Sequence, residues 1–394
     1  MDGPRTGPTI VAVGYNRPQS LLRLLQSLEK LRVPDGVEAP LLVSLDGGLP
    51  EVVAVAERFE WAHGPKTVRT FVPNLRLRKH ILACGDLALE NDAGVIVLED
   101  DLVASADLYV YALAALKRYG ETPGVGGISL YTHRFVEDSG MTFYALEDGY
   151  DAYFVQWPSS WGQLWSASQW RTFKDWYGRE SEAGVHPHHG VPEGVCKWSE
   201  QSWKKYFLRF LIATDRWFVF PRTALTTNCG EPGTHHAEVL TNMAVPLSYG
   251  RDVWRFPDLK TGMHHDAWLE PTPDSLRRRY GVPLPDDLTV DFYGFKTDAE
   301  LRGGHVLSLR EQPRAAQRYP LVHLPLASNL ELAGQGEGVF ALGPRASVEG
   351  VLPARKRQVL RMLNGQMGAR VAGKLFADRA RLVLERRLRR MLKR

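Results

Sequence analysis

The segment Gly94-Val95-Ile96-Val97-Leu98 runs without a break into Glu99-Asp100-Asp101. Four bulky apolar residues in a row fit a strand buried on both faces, and such strands belong to parallel sheets covered by helices. Three consecutive carboxylates at its end repel one another and raise one another's pKa unless something positive neutralises them. The carboxyl ends of central strands are where open α/β sheets bind ligands, so the triplet marks a ligand-facing edge. Capping a following helix is the competing use of such acids, but a cap has little need of three in a row. A divalent cation would resolve the repulsion. Oxygen-only ligands suit magnesium or manganese, which share their coordination with substrate phosphates. In extended backbone Glu99 and Asp101 point one way and Asp100 the other, so at most two of them share an ion directly.

The residues before the triplet repeat one pattern. Thr9 to Gly14 is an apolar strand ending in Tyr15-Asn16-Arg17-Pro18, after which Leu21, Leu24, Leu25 and Leu28 recur at helical spacing. Pro18 suits the first helical turn, where its missing donor costs nothing. Pro40 to Leu45 is a second strand, stopped by Asp46-Gly47-Gly48; Thr67 to Val72 is a third; Arg78 to Glu90 has the spacing of a helix. Alternating strands and helices imply βαβ units, hence an α/β fold with a Rossmann-like, mostly parallel sheet. Beyond about residue 131 the segments become short, aromatic and punctuated by Gly and Pro, and eight of the eleven tryptophans lie between Trp157 and Trp217. This predicts a ligand-binding half over 1–130, an acceptor-side half of the same domain over 131–345, and a helical tail over 346–394.

Charge separates that tail from the body. Residues 351–394 carry fourteen Lys or Arg against two acids, an excess of 12 that turns the chain's net +4 into −8 for residues 1–350. A mildly acidic body lacks the basic stripe that phosphate contacts require, which argues against nucleic acid as a partner. Cys84, Cys196 and Cys229 have no zinc or disulfide spacing. No apolar run approaches the roughly 20 residues of a membrane-spanning helix, and the N-terminus has no signal core, so the expected location is cytoplasmic. In the tail, Leu388, Met391 and Leu392 alternate with arginines and lysines. A basic amphipathic helix of this kind suits peripheral contact with the inner membrane face, where a lipid-linked acceptor would be found, and equally suits a solvated or partner-docking helix.

Together, Val11 to Pro18, Val43 to Gly48 and Val95 to Leu102 resemble the family-2-like, inverting glycosyltransferases of the GT-A fold, in particular the bacterial branch related to the N-acetylglucosaminyltransferase that initiates complex N-glycans. Trp157 to Trp165, Pro221 to Asn228 with Gly233-Thr234-His235, and Asp291 to Gly294 resemble later blocks of that branch. The resemblance implies a nucleotide-sugar donor, a glycan, lipid-linked saccharide or small-molecule acceptor, and a divalent cation. It places Asn16, Arg17 and Asp46 against the nucleoside, Glu99 at the ribose or base, Asp100 at the sugar and Asp101 on the metal. Arg78, opening the helix after the third strand, joins this donor-binding set.

An inverting transfer needs a carboxylate to take the acceptor's proton. The relative's base lies between two tryptophans, and here Trp198-Ser199-Glu200-Gln201-Ser202-Trp203 offers Glu200; Glu231 competes with it. Among the clustered histidines, His235 is the candidate second metal ligand. Trp157, Trp161 and Trp165 are candidate acceptor-binding residues, with Trp161 and Trp165 sharing a face if Ser160 onward is helical. A sugar-phosphate nucleotidyltransferase would need a glycine-rich loop with a basic residue after the first strand, and Gly14-Tyr15-Asn16-Arg17 is not one. A non-catalytic sugar-binding or scaffold protein is the reading from a different class.

Overall fold

The computed structural model describes residues 5–137, 141–231, 243–335 and 338–349. The candidate ligand His235 and the whole basic tail lie outside the described residues. Two compact units divide between Arg279 and Tyr280, inside the span 131–345 that the sequence pattern groups as one half.

The first unit is built on a nine-stranded sheet. Its strands are β1 (Thr9–Gly14), β2 (Leu41–Leu45), β3 (Lys66–Thr70), β4 (Val95–Glu99), β6 (Val125–Ser129), β7 (Ala152–Val155), β8 (Gln163–Trp165), β9 (Trp217–Pro221) and β11 (His264–His265). Their spatial order is β11-β7-β9-β6-β8-β4-β1-β2-β3. Five of the eight neighbouring pairs are parallel, including the consecutive run β4-β1-β2-β3, which is the α/β architecture expected from the alternating pattern. β5 (Leu102–Ala104) follows the triplet and pairs antiparallel with β10 (Thr226–Asn228) as a separate ribbon.

Helices cover both faces. On one, α1 (Pro18–Leu28) places Leu21, Leu24, Leu25 and Leu28 against Ile10, Ala12, Ile96 and Leu98, joined by α2 (Pro50–Arg58) and α4 (Leu108–Tyr119). The opposite face takes α3 (Leu77–Glu90), α5 (Ala167–Glu180) and α6 (Trp203–Ala213). Ser166 caps α5 in a reciprocal arrangement: its hydroxyl accepts from the Gln169 N–H, and the Gln169 side chain accepts from the Ser166 N–H. Close packing of α3 on α5 depends on Gly85, where a Cβ would lie 2.1 Å from the Trp170 ring.

One expectation is corrected here. Residues 163–165 form a strand, not a helix, and β8 runs antiparallel between β4 and β6. Its alternation sends Leu164 into the α1-side core and Gln163 and Trp165 to the other face. Trp165 is fully buried there, its ring 4.7 Å from that of Trp170 and 5.7 Å from those of Trp203 and Phe207. An indole with no exposed face packs the core and offers an acceptor sugar nothing to stack on.

The second unit, in its described residues, centres on a four-stranded sheet of order β12-β13-β15-β14, formed by Leu288–Asp291, His305–Ser308, Phe340–Pro344 and Gln317–Tyr319 respectively. Asp291 is buried within it and accepts from the Lys296 N–H and the Ser308 hydroxyl.

Candidate active site

The carboxyl edge of β1, β2 and β4 gathers most of the residues that the resemblance points to. β4 ends in Glu99, and Asp100 and Asp101 follow in the turn leading to β5. From the end of β1, the Arg17 guanidinium crosses to the triplet: it ion-pairs with Asp100, with Nε 3.3 Å from Oδ2, and lies 3.6 Å from the Asp101 carboxylate. Asn16 is exposed beside it. At the end of β2, Asp46 is buried, and its Oδ1 accepts from the Leu75 N–H at 2.6 Å. Gly47 has φ +126, a backbone conformation that a residue with a Cβ adopts only under strain, so the turn after β2 requires glycine.

The three acids differ in their surroundings. Burial, reinforced by Asp101 and Asp100, pushes the Glu99 carboxyl up to about 8. Although part of its surface reaches solvent, no hydrogen bond to it comes from the described residues. Asp100 is likewise raised by burial, to about 6, with Arg17 opposing the rise. Asp101 has one buried oxygen, Oδ1, without a hydrogen-bond partner. An unpartnered buried carboxylate oxygen is costly by itself and is the donor a hard divalent cation would take. The residues present therefore fit a cation, which Asp101 Oδ1 would hold. Among the described residues no three His, Cys, Asp or Glu side chains form a ready-made cage, so further ligands would come from water or bound phosphate.

The two candidate bases are both engaged. Glu231 is delivered to the site by the β5–β10 ribbon, beyond the Cys229 N–H that donates to the Asp101 carbonyl. Arg23 donates to its two oxygens at 2.6 and 2.9 Å and Ser20 to one at 2.6 Å, and these bonds, the Arg23 bond foremost, hold its carboxyl down at about 2. Glu200 belongs to a separate group on the approach to α6. Its exposed carboxylate accepts from Lys205 and from the Tyr206 hydroxyl at 2.7 Å, which lower its pKa. Arg78 joins this second group, 3.9 Å from Glu200 and over the Tyr206 ring at 4.8 Å. Arg78 and Glu200, separate in sequence, are thus neighbours, whereas Glu231 belongs with Arg23.

Around the candidate residues Trp157 and Trp161 lies a group that the sequence reading did not single out: Lys204, Glu137 and His133. Lys204 on α6 is buried and ion-pairs with Glu137, its Nζ 2.6 and 2.7 Å from the two oxygens. Trp157, also buried, donates its Nε1–H to the same carboxylate at 2.9 Å. Lys204 Nζ sits 5.2, 5.4 and 5.7 Å from the ring centroids of Trp157, Trp161 and Trp198. Burial lowers the Lys204 pKa, while Glu137 and, more weakly, Glu99 oppose the shift. His133, 3.7 Å from Glu137, is pushed down to about 4 by burial, and neither ring nitrogen has a hydrogen-bond partner. The available signal was α6 itself: Lys204, Lys205 and Arg209 are buried in a helix whose other buried residues are apolar or aromatic. Nothing in the sequence around Glu137 distinguished it from a solvated acid.

No protein-family model matches the chain, and no curated protein matches it. Among solved structures, S. aureus TarS 1-349 is similar with a TM-score of 0.36 and 13% identity over 56% of this chain and 59% of that one. Mannosyltransferase PcManGT from Pyrobaculum calidifontis, in complex with GDP-Man and Mn2+, is similar with a TM-score of 0.30 and 14% identity over 50% of this chain and 51% of that one. This chain therefore spans little more than half the length of either.

Proposed function

We propose that this protein is a metal-dependent glycosyltransferase of GT-A type that moves a sugar from a nucleotide-sugar donor to an acceptor hydroxyl with inversion. The observation that carries this reading is the edge formed by Asp46, Arg17 and Asp101, in which Asp101 keeps a buried oxygen without a partner. A divalent cation, manganese or magnesium, held by Asp101 would supply positive charge to the departing diphosphate. Asp46 and Asn16 would receive the nucleoside, and Arg17 would hold Asp100 and Asp101 in place while adding its charge to the same edge. In the transfer, the acceptor oxygen bonds to the anomeric carbon as the bond to the diphosphate oxygen breaks, and the hydroxyl proton passes to a carboxylate. Both oxygens of each candidate are occupied, those of Glu231 by Arg23 and Ser20 and those of Glu200 by Lys205 and Tyr206, and Glu200 is assigned the role because its carboxylate is the more exposed of the two.

Polysaccharide or other glycoconjugate assembly is the expected setting, on the cytoplasmic side, with peripheral membrane contact assigned to the basic tail. No helix among the described residues is long and apolar enough to cross a membrane.

The test is release of nucleoside diphosphate from a panel of UDP- and GDP-sugars with manganese, with and without EDTA. Metal-dependent release that Asp101→Ala reduces by about 100-fold or more supports the proposal. A non-catalytic, donor-binding protein is the second reading, favoured by the occupied state of both candidate bases. Donor binding with no turnover on any acceptor would establish it instead.

A further inference from the structure

The second unit carries a groove of about 470 Å³ whose lining includes Pro320, Val322, His323, Leu332 and Val339. It is bounded by the chain leaving β14, the end of the 3-10 turns of Leu326–Leu332 and the residue before β15. Its walls are fixed by hydrogen bonds. The buried Asn329 carboxamide accepts from the Val322 and His323 N–H groups and donates to the His323 and Leu326 carbonyls. The Val339 N–H donates to the Tyr319 carbonyl. Apolar surface nevertheless stands open, with Val322 67% exposed and the adjoining Leu324 46%. A groove already held in shape loses little freedom when a partner enters it.

The chain itself contains a matching segment. Leu360, Leu363, Met367, Val371 and Leu375, outside the described residues, recur at helical spacing. Gly365, Gly368 and Gly373 interrupt that ladder, and each costs a helix about 1 kcal/mol relative to alanine. A helix so weakened draws its stability from a surface that covers its apolar face.

Reach and charge both favour this occupant. Val339 on the groove and Glu349 are ten positions apart, so no more than about 33 Å separates them, and the turn at Arg345–Ser347 shortens that path. Residues 350–359 add ten more, enough to bring Leu360 back to the groove. Residues 280–349 hold nine acidic against six basic residues, with the exposed Glu331 next to Leu332. The tail carries the opposite sign, fourteen basic residues against two acidic ones.

We propose that this groove is the docking site of the chain's own segment 360–375, whose apolar ladder covers Val322, Leu332 and Val339. The contact anchors the first part of the tail on the second unit and leaves the more basic residues 378–394 for a membrane surface. It stands or falls independently of the transferase reading.

Limited trypsin digestion of the full chain tests it, with cleavage followed site by site by mass spectrometry. Arg370, inside the segment, should be cut at least about tenfold more slowly than Arg355 in the connection before it. Val322→Asp should bring the two rates within about twofold of each other, and so should Leu363→Asp, which changes the tail alone. Val322 is largely exposed, so its variant should keep the wild-type Tm; if it does not, Val322→Ser takes its place. Equal rates in the wild type overturn the proposal, as does a difference that survives either substitution. A difference lost on about hundredfold dilution belongs to the tail of a second copy, and one that needs vesicles of anionic lipid belongs to a membrane. Either result overturns the contact within one chain. Protection that is independent of concentration, present without lipid and lost in both variants establishes it.

Discussion

Glu231 and Arg23 form a two-point ion pair, with donor–acceptor distances of 2.6 and 2.9 Å, that fastens the chain beyond the β5–β10 ribbon to α1. The Ser20 hydroxyl completes the grip at 2.6 Å. A carboxylate held this way is a tether first and a weak base at best. Glu231→Gln should therefore lower turnover by about tenfold or less, short of the roughly 100-fold to 10,000-fold attached to a general base. Steady-state rates of the two glutamate variants decide this, with Glu200→Gln expected to show the larger loss.

The same carboxylate makes stability depend on acid. Its folded pKa of about 2 lies below the value near 4.3 expected in the unfolded chain. Between these values the unfolded state binds more protons, so the contribution is complete above about pH 5 and is lost as pH falls toward 2. Glu231 is partly exposed, so the effect is about 1 kcal/mol or less. Thermal unfolding from pH 6 to pH 3 should show a smaller loss of Tm in Glu231→Gln than in the wild type.

Glu99 works in the opposite sense. Burial and its acidic neighbours raise it to about 8, so the folded state binds the extra proton between about pH 4.5 and 8. Stability should fall as pH rises through that range, by an amount on the order of a few kcal/mol at most. Glu99→Gln should remove this slope and raise the Tm at pH 9 in metal-free buffer. An unchanged slope would show that Glu99 ionises freely.

Gln163 is fully buried on β8, and both its carboxamide atoms lack hydrogen-bond partners. Unpaired buried polar groups cost about 1–3 kcal/mol each. Gln163→Leu, of similar size and apolar, should therefore raise the denaturation midpoint by the equivalent of about 1 kcal/mol or more. A drop in the midpoint would show that the carboxamide has a partner.

Lys204 and Glu137 are buried together, so removing either one strands the other. Lys204→Met alone should destabilise by about 3 kcal/mol or more, and the double change with Glu137→Leu should recover most of that loss. A double-mutant cycle in denaturant measures the coupling, and additive losses would show that the pair contributes little.

The parallel half of the fold was legible because its signals are local. Val95 to Leu98 and Thr9 to Gly14 are apolar runs with nothing to hide, and the leucines of α1 repeat at a spacing only a helix satisfies. The stretch around Trp161 misled for the opposite reason. Trp161 and Trp165 are four apart, which satisfies helical spacing and strand alternation alike, and only the pairing of Gln163 with Val97 and Ser129 selects the strand.

The sequence by itself determined that three carboxylates stand at the end of a central strand, since strand burial and like-charge repulsion are fixed by the order of residues. Tertiary structure alone decided who neutralises and who tethers. Arg17 reaches Asp100 from 83 positions away, Arg23 takes Glu231 from 208 and Lys204 takes Glu137 from 67. Electrostatic partnership depends on a few ångströms of separation in the folded chain, and no spacing along the sequence encodes it.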